Sequence, residues 1–273
     1  MLTLRRERCQ PKTNTKISYV LNPIIEFRDV EYRIPTISSM HSILSGVSLE
    51  IHPGETIALL GRSGSGKTTL LKLINGLRQS SSGVVAVEGR SVSEWNPILL
   101  RRGIGYVIQE VGLFPHLSVR ENVCLVPRLE NWDADHIAAR YAEVMRSVGL
   151  DPAEYSHRRP RELSGGQRQR IGVARALAAD PKILLMDEPF GAVDPITRAE
   201  LQREFLKLAR KVSKTVVLVT HDLREALLLG TRVMLLDAGR IVAEATPEEF
   251  PALSHPVARE FLTAARLAAE EHA

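Results

Sequence analysis

The sequence predicts an α/β protein with a mainly parallel sheet wrapped by helices. Three observations lead there. Short apolar runs such as Thr56–Leu60, Ile183–Met186 and Thr215–Thr220 lack polar alternation, and such runs suit strands buried on both faces. Between them lie stretches with apolar residues at helical spacing, and strand–helix alternation builds parallel sheets. Finally, the 273 residues are 44% hydrophobic and 25% charged, close to ordinary soluble domains. That composition excludes a disordered, collagen-like or coiled-coil chain, and the length supports a substantial core.

Taken in order, residues 1–23 carry Arg5, Arg6, Arg8, Lys12 and Lys16 without an apolar h-region. They read as a loosely ordered tail and not as a secretory signal. Ile24–Phe27 reads as an edge strand and the Ser- and Pro-containing stretch 35–45 as a loop. Val47–Ile51 alternates like a half-buried strand, and His52–Glu55 is a turn before the apolar run Thr56–Leu60. A glycine-rich loop follows, then a helix over Thr68–Ile74 stopped near Gly76. Val84–Val87 and Ile104–Ile108 are further strands. Asp133 N-caps a helix whose face is Ile137, Tyr141, Val144 and Val148, with Gly149 ending it. The stretch about 110–163 therefore reads as a helical insertion.

Alternation resumes with a helix face of Ile171, Ala174, Leu177 and Ala178, and another of Leu201, Phe205, Leu208 and Val212. Asp237-Ala238-Gly239-Arg240 signals a hairpin between Val233–Leu236 and Ile241–Ala243. Thr246-Pro247-Glu248-Glu249 has the composition of a capped helix start. No uncharged apolar run approaches the ~18 residues of a membrane span, so the chain is not expected to be a channel. Lys and Arg number 36 against 32 Asp and Glu, a net charge of +4. That excess suits an anionic ligand or a lipid-facing partner and is too small to indicate nucleic acid. Cys9 and Cys124 are far apart and read as reduced thiols of a cytosolic protein.

Two motifs carry chemistry. Gly61-Arg62-Ser63-Gly64-Ser65-Gly66-Lys67-Thr68 fits G-x-x-x-x-G-K-[ST] between a strand and a helix. Glycines let backbone N–H groups approach phosphate oxygens, and a helix N-terminus favours anions. Lys67 supplies a full charge to β- and γ-phosphates, the Thr68 hydroxyl ligates Mg²⁺, and Thr69 adjoins them on the first helical turn. The second motif is Ile183–Met186 followed by Asp187 and Glu188. A buried strand ending in carboxylates is costly unless a cation is there. Asp187 would bind Mg²⁺, mostly through water, and Glu188 would orient or deprotonate an attacking water.

Leu163-Ser164-Gly165-Gly166-Gln167 makes the pattern specific. This pentapeptide, with the motifs above, resembles the signature of the ATP-binding cassette (ABC) ATPases over roughly residues 24–246. The resemblance implies a P-loop ATPase with a RecA-like core, an antiparallel β edge region and a helical signature subdomain. It implies a cassette over 24–245 and a short helical tail over 246–273. By the same resemblance Tyr32 stacks on adenine, with a packed strand residue as its competing role. Gln109 is the Q-loop glutamine and a Mg²⁺ ligand, Asp194 the D-loop aspartate, and His221 the switch histidine on the γ-phosphate. Arg62 stands where proline is common and points outward. Ser164 N-caps a helix, so Ser164, Gly165, Gly166 and Gln167 offer a second phosphate cradle. In the family this cradle faces the nucleotide of the opposite subunit. The resemblance thus implies two chains, head to tail, around two ATP molecules.

With no span of its own, such a chain passes its output to transmembrane permease subunits and, indirectly, a substrate-binding protein. Leu113, Phe114 and Pro115 lie where the family receives a permease coupling helix; burial inside the helical insertion is the competing reading. Ile104–Gln109, Gly112–His116, Asn122–Pro127, Leu150–Pro152 with Tyr155, and Asp194–Arg198 resemble the ATPases of osmoprotectant importers for glycine betaine, choline or carnitine. That implies a peripheral protein on the cytoplasmic face of the inner or plasma membrane. Many such ATPases continue into regulatory cystathionine-β-synthase domains; residues 246–273 suffice for one or two helices, which puts that form of gating in doubt. Glu270 and Glu271 read as a solvated helix end. The alternatives are an ABC system for another polar solute or lipid, a soluble ABC ATPase on nucleic acid or ribosomes, and a P-loop kinase or GTPase. The last lacks a signature of this kind, and no N-K-x-D guanine motif is present.

Overall fold

A computed structural model describes residues 22–36, 39–109, 112–191, 193–212 and 214–270, with side chains undescribed at 208–212 and 268–270. Readings that fall on Cys9, most of the N-terminal tail, Glu110, Val111, Ala192, Glu271 and the Leu208, Val212 and Glu270 side chains lie outside the described residues. The strands are β1 (Ile25–Pro35), β2 (Met40–Ile51), β3 (Thr56–Leu60), β4 (Ser82–Val87), β5 (Arg90–Ser91), β6 (Ile104–Val107), β7 (Ile183–Asp187), β8 (Thr215–Thr220), β9 (Arg232–Asp237) and β10 (Arg240–Ala245). The helices are α1 (Lys67–Ile74), α2 (Pro97–Arg102), α3 (Val119–Val123), α4 (Leu125–Leu129), α5 (Ala134–Ser147), α6 (Pro152–Tyr155), α7 (Gly165–Leu177), α8 (Pro195–Val212), α9 (Leu223–Leu229) and α10 (Pro256–Glu270).

The main sheet has the order β10-β9-β3-β8-β7-β6. It is parallel from β9 to β6, with β10 antiparallel at the edge. Every residue of β3, β7 and β8 is buried, as their unbroken apolar runs predict. Successive residues feed opposite layers, as the two-residue period of a strand requires. Leu184, Met186, Val216 and Leu218 pack with α3, α5 and α7. Ile183, Leu185, Val217 and Val219 pack with α1 and the second sheet. Ala58, Leu60, Val233 and Leu235 meet α9, Phe250 and Ala258 in a third cluster.

The second sheet is antiparallel, order β2-β1-β4-β5. Here the structure corrects the loop expected over 35–45. β1 runs to Pro35, β2 starts at Met40, and only residues 36–39 connect them. β2 is the sheet edge, and its first residues Met40, His41 and Ser42 are exposed. Polar residues there cost nothing in burial, so their composition resembles a loop while the backbone pairs with β1. Pro35 sits at the strand end, where a missing N–H is tolerated.

Between β6 and β7 lie the helices α3 to α7. Asp133 caps α5 by accepting from His136 N at 2.8 Å, and Tyr141, Val144 and Met145 are its buried side. A second correction concerns Thr246–Glu249. The reciprocal cap forms, with Glu249 N donating to Thr246 Oγ1 at 3.3 Å and Thr246 N to Glu249 Oε2 at 3.1 Å. Only a 3₁₀ turn over Phe250–Ala252 follows, and the α-helix waits until Pro256. Pro251 removes an N–H and its ring opposes the carbonyl four residues back, which stops an α-helix from starting there.

Candidate nucleotide-binding site

The candidate residues sit past the C-terminal ends of β3, β6, β7 and β8, where open α/β sheets place ligands. The glycine-rich loop leaves β3 and ends at Gly66, the N-cap of α1, with φ of 106°. A Cβ on Gly66 would lie 2.7 Å from Leu44 Cδ2 and one on Gly61 2.3 Å from Leu236 O, so β2 and β9 press the loop from behind. Among the described residues no side chain caps α1, and buried Ser65 Oγ has no hydrogen-bond partner. Both observations fit a cradle awaiting an anion. Ser63 and Gly64 are exposed, while Thr68 and Thr69 are half-buried. Lys67 is 5% exposed and donates to Gly61 O and Arg62 O, both at 2.8 Å. Burial lowers its pKa, and the charges of Glu188 and Asp187 oppose that. Arg62 points outward as expected and pairs with Glu260 of α10.

Asp187 closes β7 at 4% exposure and accepts the Thr68 hydroxyl at 2.9 Å. Burial raises its pKa most; the Thr68 bond lowers it and Glu188 raises it. A buried carboxylate beside a hydroxyl is a hard oxygen donor set suited to Mg²⁺. Among the described residues no three His, Cys, Asp or Glu could hold a metal together. The remaining ligands would therefore be other oxygen donors, such as the Gln109 amide oxygen, phosphate oxygens and water. Glu188 takes a positive φ of 45°, which turns it away from the strand. Its Oε2 accepts Gln109 Nε2 at 3.1 Å and lies 3.4 Å from His221 Nδ1. Gln109 thus engages Glu188 and not the Thr68–Asp187 pair. Lys67, Thr68, Asp187, Glu188, Gln109 and His221 form one constellation.

The signature lies apart from it. Ser164 Oγ accepts from Gln167 N at 3.2 Å and Gln167 Oε1 from Ser164 N at 2.9 Å, so Ser164 caps α7 reciprocally. Gly165 and Gly166 form its first turn, and among the described residues no hydrogen bond joins it to residues 61–69. Asp194 is exposed and accepts from Thr197 N at 3.0 Å, which is the main cause holding its carboxyl below the usual range. Tyr32 is half-buried against the apolar cluster of the second sheet.

Sequence reasoning missed several supports. The Tyr155 hydroxyl accepts from Gln167 Nε2 at 3.0 Å and so fixes the signature turn. Tyr106, on β6, is pushed up to about 12 by burial and then by Asp187. Asn122, fully buried, holds the 114–118 loop: it accepts from Phe114 N and donates to the carbonyls of Phe114, Leu117 and Ser118. Phe114 is 42% exposed, while Leu113 packs onto the helical cluster. Tyr155 meets Gln167 twelve residues on and Tyr106 meets Asp187 from another strand, while the Asn122 bonds form only because the 114–118 loop folds back over it.

The family model described as ABC transporter matches residues 44–191. The chain belongs to the ABC transporter family. The cassette is 52% identical over 206 residues to the osmoprotectant import ATP-binding protein OsmV of Salmonella typhimurium, covering 76% of this chain and 54% of the relative. It is equally similar, 52% over 206 residues and the same coverage, to the glycine betaine/carnitine/choline transport ATP-binding protein OpuCA of Bacillus subtilis. The chain therefore spans about half the length of these curated relatives. Among solved structures, a dimeric post-hydrolysis state of the ATP-binding cassette MJ0796 bound to ADP and Pi superposes with a TM-score of 0.74. That match has 32% identity and covers 82% of this chain and 98% of the other. The likeness bears out the cassette fold, and the relatives bear out the osmoprotectant resemblance. Among the described residues no helix is long and apolar enough to cross a membrane.

Proposed function

We propose that this cassette is the ATP-binding and ATP-hydrolysing subunit of an ABC importer for a quaternary-amine osmoprotectant such as glycine betaine or choline. One observation carries the hydrolytic part: Gln109 and His221 meet the same Glu188 oxygen, beside Lys67 and the Thr68–Asp187 pair. Lys67 exchanges its two carbonyl acceptors for β- and γ-phosphate oxygens. The uncapped α1 N–H groups and the Ser65 hydroxyl surround the same phosphates. Thr68, Asp187 and Gln109 would hold Mg²⁺, which when bound neutralises charge on the phosphate oxygens. Glu188 orients and deprotonates the attacking water, and His221 contacts the γ-phosphate. Tyr32 stacks on the base.

Ser164–Gln167 serve the nucleotide of a second copy, and Asp194 lies at the same head-to-tail interface. Among the described residues the signature makes no hydrogen bond to the phosphate loop of its own chain, which supports that reading. ATP stabilises the closed dimer because only that state binds it at both surfaces. In this reading the exposed Phe114, whose loop Asn122 holds, meets the permease, and the cassette sits peripherally on the cytoplasmic membrane face. The solute class rests on the names of the relatives. The test is reconstitution with the cognate permease and binding protein. Glycine betaine or choline should stimulate ATP turnover. Stimulation by another polar solute alone would overturn the solute class and leave the ATPase. Turnover that ignores every solute but responds to nucleic acid or ribosomes would overturn the importer.

A further inference from the structure

Two ionisable side chains outside the site, Glu225 buried and Arg198 half-buried, each have one end tied to a site loop and one buried atom without a hydrogen-bond partner among the described residues. Glu225, on α9, is 6% exposed. Its Oε2 accepts the Thr220 hydroxyl at 3.0 Å, and Thr220 Oγ1 in turn accepts from Asp222 N at 3.0 Å. These bonds clasp both sides of His221, whose own side chain is 63% exposed. Glu225 Oε1 is buried with no hydrogen-bond partner among the described residues. Arg198, in the first turns of α8, donates from Nη2 to Val193 O at 3.2 Å, next to Asp194. Its Nε is likewise buried without a partner.

The helices carrying them pack together, and the Arg198 charge acts favourably on the Glu225 carboxylate. A buried polar atom without a hydrogen-bond partner is costly, and removing that cost favours any motion that lets the two meet. We propose that Arg198 and Glu225 are positioning residues that form a strut between the Asp194 loop and the His221 turn. Closure of a second cassette on Asp194 draws the unsatisfied ends together and sets His221 for the γ-phosphate. The strut rests on the site reading above, since it acts through His221 and Asp194.

The test measures ATP hydrolysis by the full chain for Glu225→Gln, Arg198→Lys and the double variant, with melting temperature and ADP affinity as controls. Glutamine still accepts from Thr220, so only the charge link is lost. KM for ATP should stay within about twofold while kcat falls about tenfold, a mid-range coupling for a contacting charged pair. The double variant should fall no further than the worse single one. Unchanged kcat in Glu225→Gln, or single effects that multiply in the double variant, would overturn the strut. Should Glu225→Gln not fold, Arg198→Gln carries the same comparison, and wild-type kcat in it overturns the strut. His221→Ala separates the two ideas. If it abolishes turnover while the strut variants do not, only the strut fails; if it retains turnover, the site reading fails.

Discussion

Glu225 should make the cassette less stable as pH rises from about 4.5 towards neutrality. Its carboxyl is pushed from 4.5 up to about 7, chiefly by burial, then by Asp222 and Glu188, with Thr220 and Arg198 opposing. The folded state thus keeps a proton that the unfolded chain has released. A group raised in this way adds stability that is full below the unfolded value and lost as pH climbs through the folded one. The window runs from about pH 4.5 to 7, and at ~1.4 kcal/mol per unit the loss is about 3 kcal/mol. Glu225→Gln removes the titration and keeps the size of the side chain. Urea unfolding of both proteins at pH 5 and pH 8, at constant ionic strength, reads the difference. Other groups titrate alike in both, so the quantity of interest is the gap between them. It should move by roughly 2–3 kcal/mol in favour of the variant at pH 8. Parallel stability curves would refute the reasoning, because Glu225 would then titrate alike folded and unfolded.

Glu188→Gln should slow hydrolysis by ~10²–10⁴, the scale for losing a general base, and trap an ATP-bound dimer visible by size-exclusion chromatography; wild-type turnover would remove Glu188 from the chemistry. Asn122→Ala should cost about 2–4 kcal/mol in denaturant unfolding, since four loop hydrogen bonds depend on that side chain and buried orphans are expensive. Phe114→Asp should abolish solute-stimulated transport in vesicles while basal ATPase persists, and continued transport would move the permease contact elsewhere. Leu113→Asp should instead lower the melting temperature, because Leu113 packs into the helical cluster.

The phosphate loop and the Asp187–Glu188 strand end were legible because their chemistry is local. Glycines, lysine, hydroxyl and helix start must be neighbours for an N-terminus to cradle phosphate, so spacing alone shows them. The buried strands were legible for a similar reason: burial on both faces erases alternation. Elements whose state depends on a distant partner were misread. Residues 40–45 look like a loop and pair as an edge strand because β1 lies alongside. Thr246–Glu249 carries a correct cap, yet Pro251 stops an α-helix and the chain turns to bury Phe250.

Sequence by itself determined the class of the fold, the glycine-rich loop proposed to meet phosphate and the family the chain belongs to, since those depend on short-range spacing. Only the tertiary structure decided that Gln109 and His221 converge on one oxygen of Glu188, that Asn122 braces the Phe114 loop, and that Arg198 Nε and Glu225 Oε1 are buried without hydrogen-bond partners among the described residues. The parallel sheet brings the ends of separate strands together, and burial fixes which polar atoms find partners. Neither quantity is a property of any local stretch of chain.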